Sequence, residues 1–180
     1  MEDLMDIEKP HRPSRRDLIP LFLSFGLVTA DQIVKAVIVH TIPLYTIGAS
    51  FWGGFLRIIH TRNLAIAFSI GRSLPEEVRI VVFVVLPLIL LIALVGYFIK
   101  SDEFTGLQRW ALAAIIGGGF GNMVDRLFRP EGVVDFIDVR FYGIFGLERW
   151  PTFNIADSSV VIGGILLAVS FIFEKEGKDE

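Results

Sequence analysis

Apolar residues run along this chain in four long blocks, separated by segments where charge, glycine and aromatic side chains collect. A hydrocarbon core of about 30 Å takes roughly 20 mostly apolar residues per helix, and the blocks predict spans at about 18–40, 78–99, 110–124 and 158–173. The first follows a polar leader, residues 1–17, and carries Asp31 and Lys35 within it. The second is the cleanest; its Pro87 lies mid-span, where neighbouring groups can recover lost backbone bonding, so a kink is expected and not a break. The third is short and rich in Gly and Ala. Its small residues Ala113, Gly117 and Gly121 recur every four positions, which predicts close approach to neighbouring helices. The fourth, also short, leads into a polar tail at 174–180.

Between these blocks lie two long loops, 41–77 and 127–153. In the first, Phe51 to Phe68 is rich in Phe and Ile around Gly53-Gly54 and reads as a small strand unit. The second mixes Arg with Phe141, Tyr142, Phe145, Trp150 and Phe153, an aromatic density suited to the headgroup region. The prediction is an all-α membrane protein, a single domain over 18–173. It would have four transmembrane helices, a small extracytoplasmic β-rich unit and an interfacial loop. The leader also resembles a secretory signal, with Arg12, Arg15 and Arg16 before an apolar run ending in Val28-Thr29-Ala30. Because the apolar run resumes after Lys35, a retained span fits better.

Composition agrees with a bilayer: 53% of residues are hydrophobic and the mean hydropathy is +0.60. A net charge of -3 offers no basic field, so nucleic acid is not an expected partner. The absence of cysteine excludes thiolate nucleophiles and cysteine metal sites. Sidedness is less direct. Lys9, Arg12, Arg15, Arg16, Lys100, Arg109, Lys175 and Lys178 fall on the side of the termini. Arg57, Arg62, Arg72, Arg79, Arg126, Arg129, Arg140 and Arg149 fall on the other, which is a tie. The cluster before the first span, and the restriction of loop lysines to the termini side, favour cytoplasmic termini.

Ionisable residues in or beside spans are costly and therefore candidates for function. Asp31 and Lys35 share a helix face and could neutralise each other. Asp125 has Arg126 beside it as a ready neutraliser. Asp135 sits among Val133, Val134, Phe136 and Ile137, an apolar setting that would raise its pKa; alone it reads as a turn aspartate. Asn154 and Asp157 fit the N-cap and N3 positions of the last span, a capping box that needs no catalysis to explain it. Taken together, Asp135 and Asp157 are two carboxyls at one membrane face that could share a proton, as aspartic proteases require. His11, His40 and His60 are scattered, no metal-ligand cluster is apparent, and no serine lies in a nucleophile elbow.

Five ordered blocks resemble the lipoprotein signal peptidases (type II signal peptidases) of bacterial inner membranes. They are Asp31-Gln32-x-x-Lys35, Asn63-x-x-x-Ala67-Phe68-Ser69, Gly117-Gly118-x-x-Gly121-Asn122-x-x-Asp125-Arg126, Val133-Val134-Asp135-Phe136-Ile137-Asp138 and Phe153-Asn154-x-Ala156-Asp157. The resemblance implies a catalytic dyad of Asp135 and Asp157 near the outer membrane face, without metal or cofactor. Asn63, Asn122, Arg126 and Asn154 would surround it, with Asp31 and Lys35 in support. It also implies a substrate, a diacylglyceryl-modified prolipoprotein cut before its lipidated cysteine, with membrane lipid as the other partner; an obligate protein partner is not implied. One departure is Ala65, where the family usually has Gly. The two loops are expected to close over the substrate. The alternatives are a small transporter or channel using Asp31, Lys35, Asp125 and Asp157 as an ion path, and a noncatalytic membrane scaffold.

Overall fold

The computed structural model describes residues 15–64 and 74–176. Most of the leader, the positions Ala65, Ala67, Phe68, Ser69 and Arg72, and the end of the tail lie outside the described residues. The elements in chain order are α1 (Arg15–Leu18), α2 (Leu21–Thr41), β1 (Ile47–Phe51), β2 (Leu56–Asn63), α3 (Glu76–Ile80), α4 (Leu86–Lys100), α5 (Gly106–Phe128), β3 (Val133–Val139) and α6 (Ile155–Glu176). Three helical rods, Leu21–Thr41, Glu76–Lys100 and Ile155–Phe173, are long and apolar enough to cross a membrane.

Local chemistry explains the ends. Pro20, which has no N–H to donate, precedes α2. A widened π turn at Val81–Val85 joins α3 to α4 just before Pro87, whose missing N–H would otherwise be owed to the Phe83 carbonyl; it is here that the backbone accommodates the proline. Helix α5 extends beyond the predicted span at both ends. Thr105 and Gln108 form a reciprocal capping box at its start, and the Arg109 guanidinium donates to the carbonyls of Phe98 and Ser101 at the end of α4.

Helix α5 is central and packs against α2, α4 and α6. Glycine makes that possible. A Cβ on Gly117 would lie 2.8 Å from the Ser24 Cα of α2, and one on Gly118 would lie 2.3 Å from the Ala156 carbonyl oxygen at the start of α6. Phe98, Leu112 and Ile116 form an apolar core between α4 and α5, whereas Phe22, Ile89, Val161 and Ile172 point outward, as they would toward lipid.

The strands form one antiparallel sheet in the order β1-β2-β3. The prediction of strands in the first loop holds, but the segment holding Asp135, read as a turn or interfacial loop, is itself a strand paired with β2. Val133, Val134, Asp135 and Phe136 are all buried, because the sheet docks on α2 through Ile38, Val134 and Phe136. Alternation is lost when both faces of a strand are covered. The ladder joins β2 to β3, so these parts of the two loops are paired in one sheet. Arg149 fastens the far end: its Nε lies 2.5 Å from Asp138 Oδ1 and its Nη1 donates to the Gly54 carbonyl at 3.1 Å. Tyr45, Trp52, Tyr142 and Phe145 have φ between 49° and 60°, a conformation that costs of order 1 kcal/mol each. All four rings are exposed around this sheet.

A buried ionic cluster joins α2, α5 and the site-bearing segments. Lys35 Nζ lies 2.7 Å from Asp31 Oδ2 and 2.8 Å from Asp125 Oδ2, with all three side chains fully buried. The expected pairing of Asp31 with Lys35 is present. The expected pairing of Asp125 with Arg126 is not: Asp125 is neutralised by Lys35 and by Arg129, one helical turn on. Position along the helix decides this, since neighbours one residue apart point about 100° apart and i,i+4 side chains share a face. Gln32 Nε2 completes the cluster, within bonding distance of Asp31, Asp125 and the Gly121 carbonyl.

Two stability outcomes follow from this packing. Lys35→Met leaves two carboxylates buried beside one remaining cation and should lose about 3–5 kcal/mol, measured by unfolding in detergent micelles. Gly118→Ala should lose about 1–3 kcal/mol through overpacking, whereas Gly164→Ala, with nothing within 4 Å of its new methyl, should lose nothing.

Candidate active site

Asp135 lies mid-strand in β3, opposite Thr61, whose hydroxyl donates to the Asp135 carbonyl at 3.2 Å. Asp157 lies in the first turn of α6. The predicted capping box is present: the Asp157 N–H donates to Asn154 Oδ1 at 2.9 Å, and the Asn154 N–H donates to Asp157 Oδ2 at 3.1 Å. One carboxylate therefore caps the helix and faces the cavity described below.

Amide groups hold both carboxyls. Asn63 Nδ2 donates to Asp135 Oδ2 at 3.2 Å and Asn154 Nδ2 to Asp135 Oδ1 at 2.8 Å. Asn122 Nδ2 donates to Asp157 Oδ1 at 2.7 Å. Asn154 Nδ2 also lies 3.0 Å from Asn122 Oδ1, so the three asparagines and two aspartates form a connected network. Arg126, one turn beyond Asn122 on α5, makes no ion pair within 4 Å to a described residue. It is close enough to Asp157 and Asp135 to act on them electrostatically. Among the described residues no group of His, Asp and Glu could hold a metal ion.

Neutral donors orient the carboxyls without adding a cation in contact with either. Burial, and after it the charge of Asp157, push the Asp135 carboxyl up to about 7, against the lowering effect of its bonds from Asn63 and Asn154. The expected upward shift is therefore present, with a cause that the local sequence supplied only in part. Neighbouring apolar residues give the burial; the second carboxylate comes from a separate element.

Both aspartates open onto a cavity of about 720 Å³. One wall is polar, made by Asn63, Asn122, Arg126 and the two aspartates; another is apolar, with Gly119, Val160, Val161 and Ile162. Trp150 to Phe153 also line it. Val161 and Ile162 are more than half exposed on the outer face of α6, so the apolar wall is continuous with the surface that would meet lipid. Such a cavity can hold an extended peptide at its polar wall and a hydrocarbon chain along the other.

Of the residues predicted to form the site, Asp135, Asp157, Asn63, Asn122, Arg126 and Asn154 line the cavity or bond directly to a dyad carboxyl. Asp31 and Lys35 do not line it. They lie one layer behind, where Asp31 Oδ1 accepts the Ala156 N–H at 3.0 Å and Lys35 Nζ donates to Asn122 Oδ1 at 3.2 Å. Asp125, read as an ordinary paired charge, belongs to that layer too, because its Oδ2 accepts the Val134 N–H at 3.1 Å. Sequence reasoning also missed Thr61, Trp150 and the chain at Pro151 and Thr152. Their contribution depends on strand register, which no local motif announces.

Comparison with known proteins places this geometry. The model of the family described as Signal peptidase (SPase) II matches residues 23–173. A lipoprotein signal peptidase of Treponema pallidum is 45% identical over 165 residues, covering 92% of this chain and 89% of the relative. One from Borrelia hermsii is 48% identical, covering 84% and 88%. A solved bacterial membrane enzyme structure superposes with a TM-score of 0.76 at 32% identity, over 93% of this chain and 95% of the other. With a family match across the whole helical domain and relatives at this identity, the chain belongs to the signal peptidase II family.

Proposed function

We propose that this chain is an interfacial aspartyl endopeptidase that removes the signal peptide of diacylglyceryl-modified prolipoproteins, cutting before the lipidated cysteine. The observation that carries the reading is the pair Asp135 and Asp157, held by neutral amides in one cavity, with Asp135 retaining its proton to about 7.

The division of labour follows from that asymmetry. A water between the carboxyls gives a proton to ionised Asp157 as its oxygen attacks the scissile carbonyl carbon. Asp135 donates its proton to the carbonyl oxygen, giving a neutral tetrahedral diol. As the diol collapses, a hydroxyl proton returns to Asp135, the C–N bond breaks, and the leaving nitrogen takes the proton from Asp157. Arg126 is suited to hold a peptide carbonyl beside the dyad. Asp31, Lys35 and Asp125 act as positioning residues behind it.

The membrane setting belongs to the same proposal. Helix α5, 23 residues long and surrounded by the other three rods, would be the fourth span. Both termini would be cytoplasmic and the dyad near the outer face of the inner membrane. The exposed rings of Trp52, Tyr142 and Phe145 suit the headgroup layer on that side. The ion-path alternative is disfavoured by the apolar core of Phe98, Leu112 and Ile116, which fills the bundle away from the ionic cluster.

Purified protein should cleave a diacylglyceryl prolipoprotein. Asp135→Asn and Asp157→Asn should each lower kcat by at least ~10²-fold to 10⁴-fold while remaining folded; full activity in either variant would remove the dyad. Because the reaction needs Asp135 protonated, kcat/KM should fall as pH rises through about 7. That alkaline limb reports the pair and not Asp135 singly. A rate that kept rising to pH 9 would contradict the assignment of the acid. A chelator should leave the rate unchanged.

A further inference from the structure

The chain between the sheet and α6 runs along the outer edge of β3. Arg149 bridges to Arg140 and Phe153 to Ile137. The Trp150 N–H donates to the Val139 carbonyl at 2.9 Å, and the Phe153 N–H donates to the Ile137 carbonyl at 3.1 Å. The Phe153 carbonyl accepts from Phe136 and Ile137 at 3.1 and 2.8 Å. Between these anchors, Pro151 and Thr152 make no backbone hydrogen bond to a described residue. Both line the cavity that holds Asp135 and Asp157.

We propose that the substrate peptide docks as an extended strand on this Pro151–Thr152 edge, with the Thr152 N–H donating to a substrate carbonyl near the scissile bond. The inference rests on the peptidase reading and adds the binding mode to it.

Three physical reasons support it. First, an extended peptide exposes both faces of an amide, and water and acid must approach the scissile bond from different directions. Second, the polar side chains of the cavity are largely committed: Asn122 and Asn154 already donate to the aspartates. Beside Arg126, which can hold one carbonyl, main-chain groups of the Pro151–Thr152 segment are the partners that remain. Third, main-chain pairing does not read side chains, so it can position the peptide while the lipidated cysteine of the proposed substrate identifies it. Pro151 sharpens the geometry. Lacking an N–H, it leaves Thr152 as the one backbone donor between the anchors, so a docked strand has one favoured register. A proline on an edge also discourages unrelated strands from adding there.

The test uses full-length wild-type protein in detergent and a diacylglyceryl-modified peptide. A series of substrates replaces one backbone amide at a time before the scissile bond by an ester, whose carbonyl is a weaker acceptor. Esterification of the carbonyl that Thr152 holds should raise KM about threefold to tenfold, a large part of one net hydrogen bond, with kcat nearly constant and the position dependence lost in Thr152→Pro. Thr152→Pro, which removes the donor, should raise KM by a similar factor and flatten the position dependence. Thr152→Ala, which keeps the donor, should lose no more than about threefold. Cleavage by wild type with a flat ester series would overturn the docking mode and leave the peptidase reading intact. So would Thr152→Pro with wild-type KM and unchanged position dependence. If Thr152→Pro does not fold, the ester series decides alone. Failure of wild type to cleave the unmodified peptide would overturn both readings.

Discussion

The whole arrangement depends on one buried cation. Lys35 lies between Asp31 and Asp125 with none of the three exposed, and each carboxylate spends an oxygen on a backbone N–H next to a dyad residue. Asp31 accepts from Ala156, the residue before Asp157, and Asp125 accepts from Val134, the residue before Asp135. Two segments far apart in sequence are thereby fixed to one charge. Lys35 also reaches Asn122, whose amide donates to Asp157. Ions with this little water persist only when fully paired and hydrogen-bonded. The cluster meets that condition with Arg129 and Gln32 as its remaining partners.

Separation of charge into two layers accounts for the raised pKa of Asp135. The layer behind has its acids matched by bases; the layer in front has two acids held by asparagine amides, with Arg126 nearby and ion-paired to neither. Had Lys35 touched Asp135, its positive charge would have favoured the ionised carboxylate. Acting from the layer behind, Lys35 lowers the Asp135 pKa only weakly, and burial with Asp157, both of which favour the neutral acid, outweigh it and the bonds from Asn63 and Asn154. The capping box at Asn154 and Asp157 serves stability and orientation at once, because the bonds that start α6 also fix the carboxylate in the cavity. Its energetic scale is that of an ordinary helix cap, about 1 kcal/mol.

Glycine and strand pairing set the distances. Gly117, Gly118 and Gly121 bring α5 against α2 and α6 closely enough for Asn122 to reach Asp157, and the ladder between β2 and β3 carries Asn63 to Asp135. The sheet unites strands from both long loops and rests on α2, beside the cavity onto which Asp135 and Asp157 open. Its apolar wall is continuous with the exposed outer face of α6. For the proposed substrate, with one lipid-soluble end and one peptide end, such a cavity would offer matching surfaces.

Much of this was legible in the sequence, where the physics is local. Blocks of apolar residues require a bilayer, small residues every four positions require close helix packing, and Asn154 with Asp157 at i,i+3 announces a cap. Each expectation depends only on neighbours within a turn or two. The strand at Val133–Val139 was concealed because it is covered on both faces, which erases the alternation that would mark it. Asp125 was misassigned for a related reason: adjacency in sequence put Arg126 beside it, whereas helical geometry and the α2 interface gave it Arg129 and Lys35. The sequence by itself determined the membrane class, the helical blocks and which ionisable residues were expensive enough to matter. Only the tertiary structure decided which acids are neutralised and which are held by neutral amides, because that depends on contacts across more than ninety residues of intervening chain, as between Gln32 and Asp125.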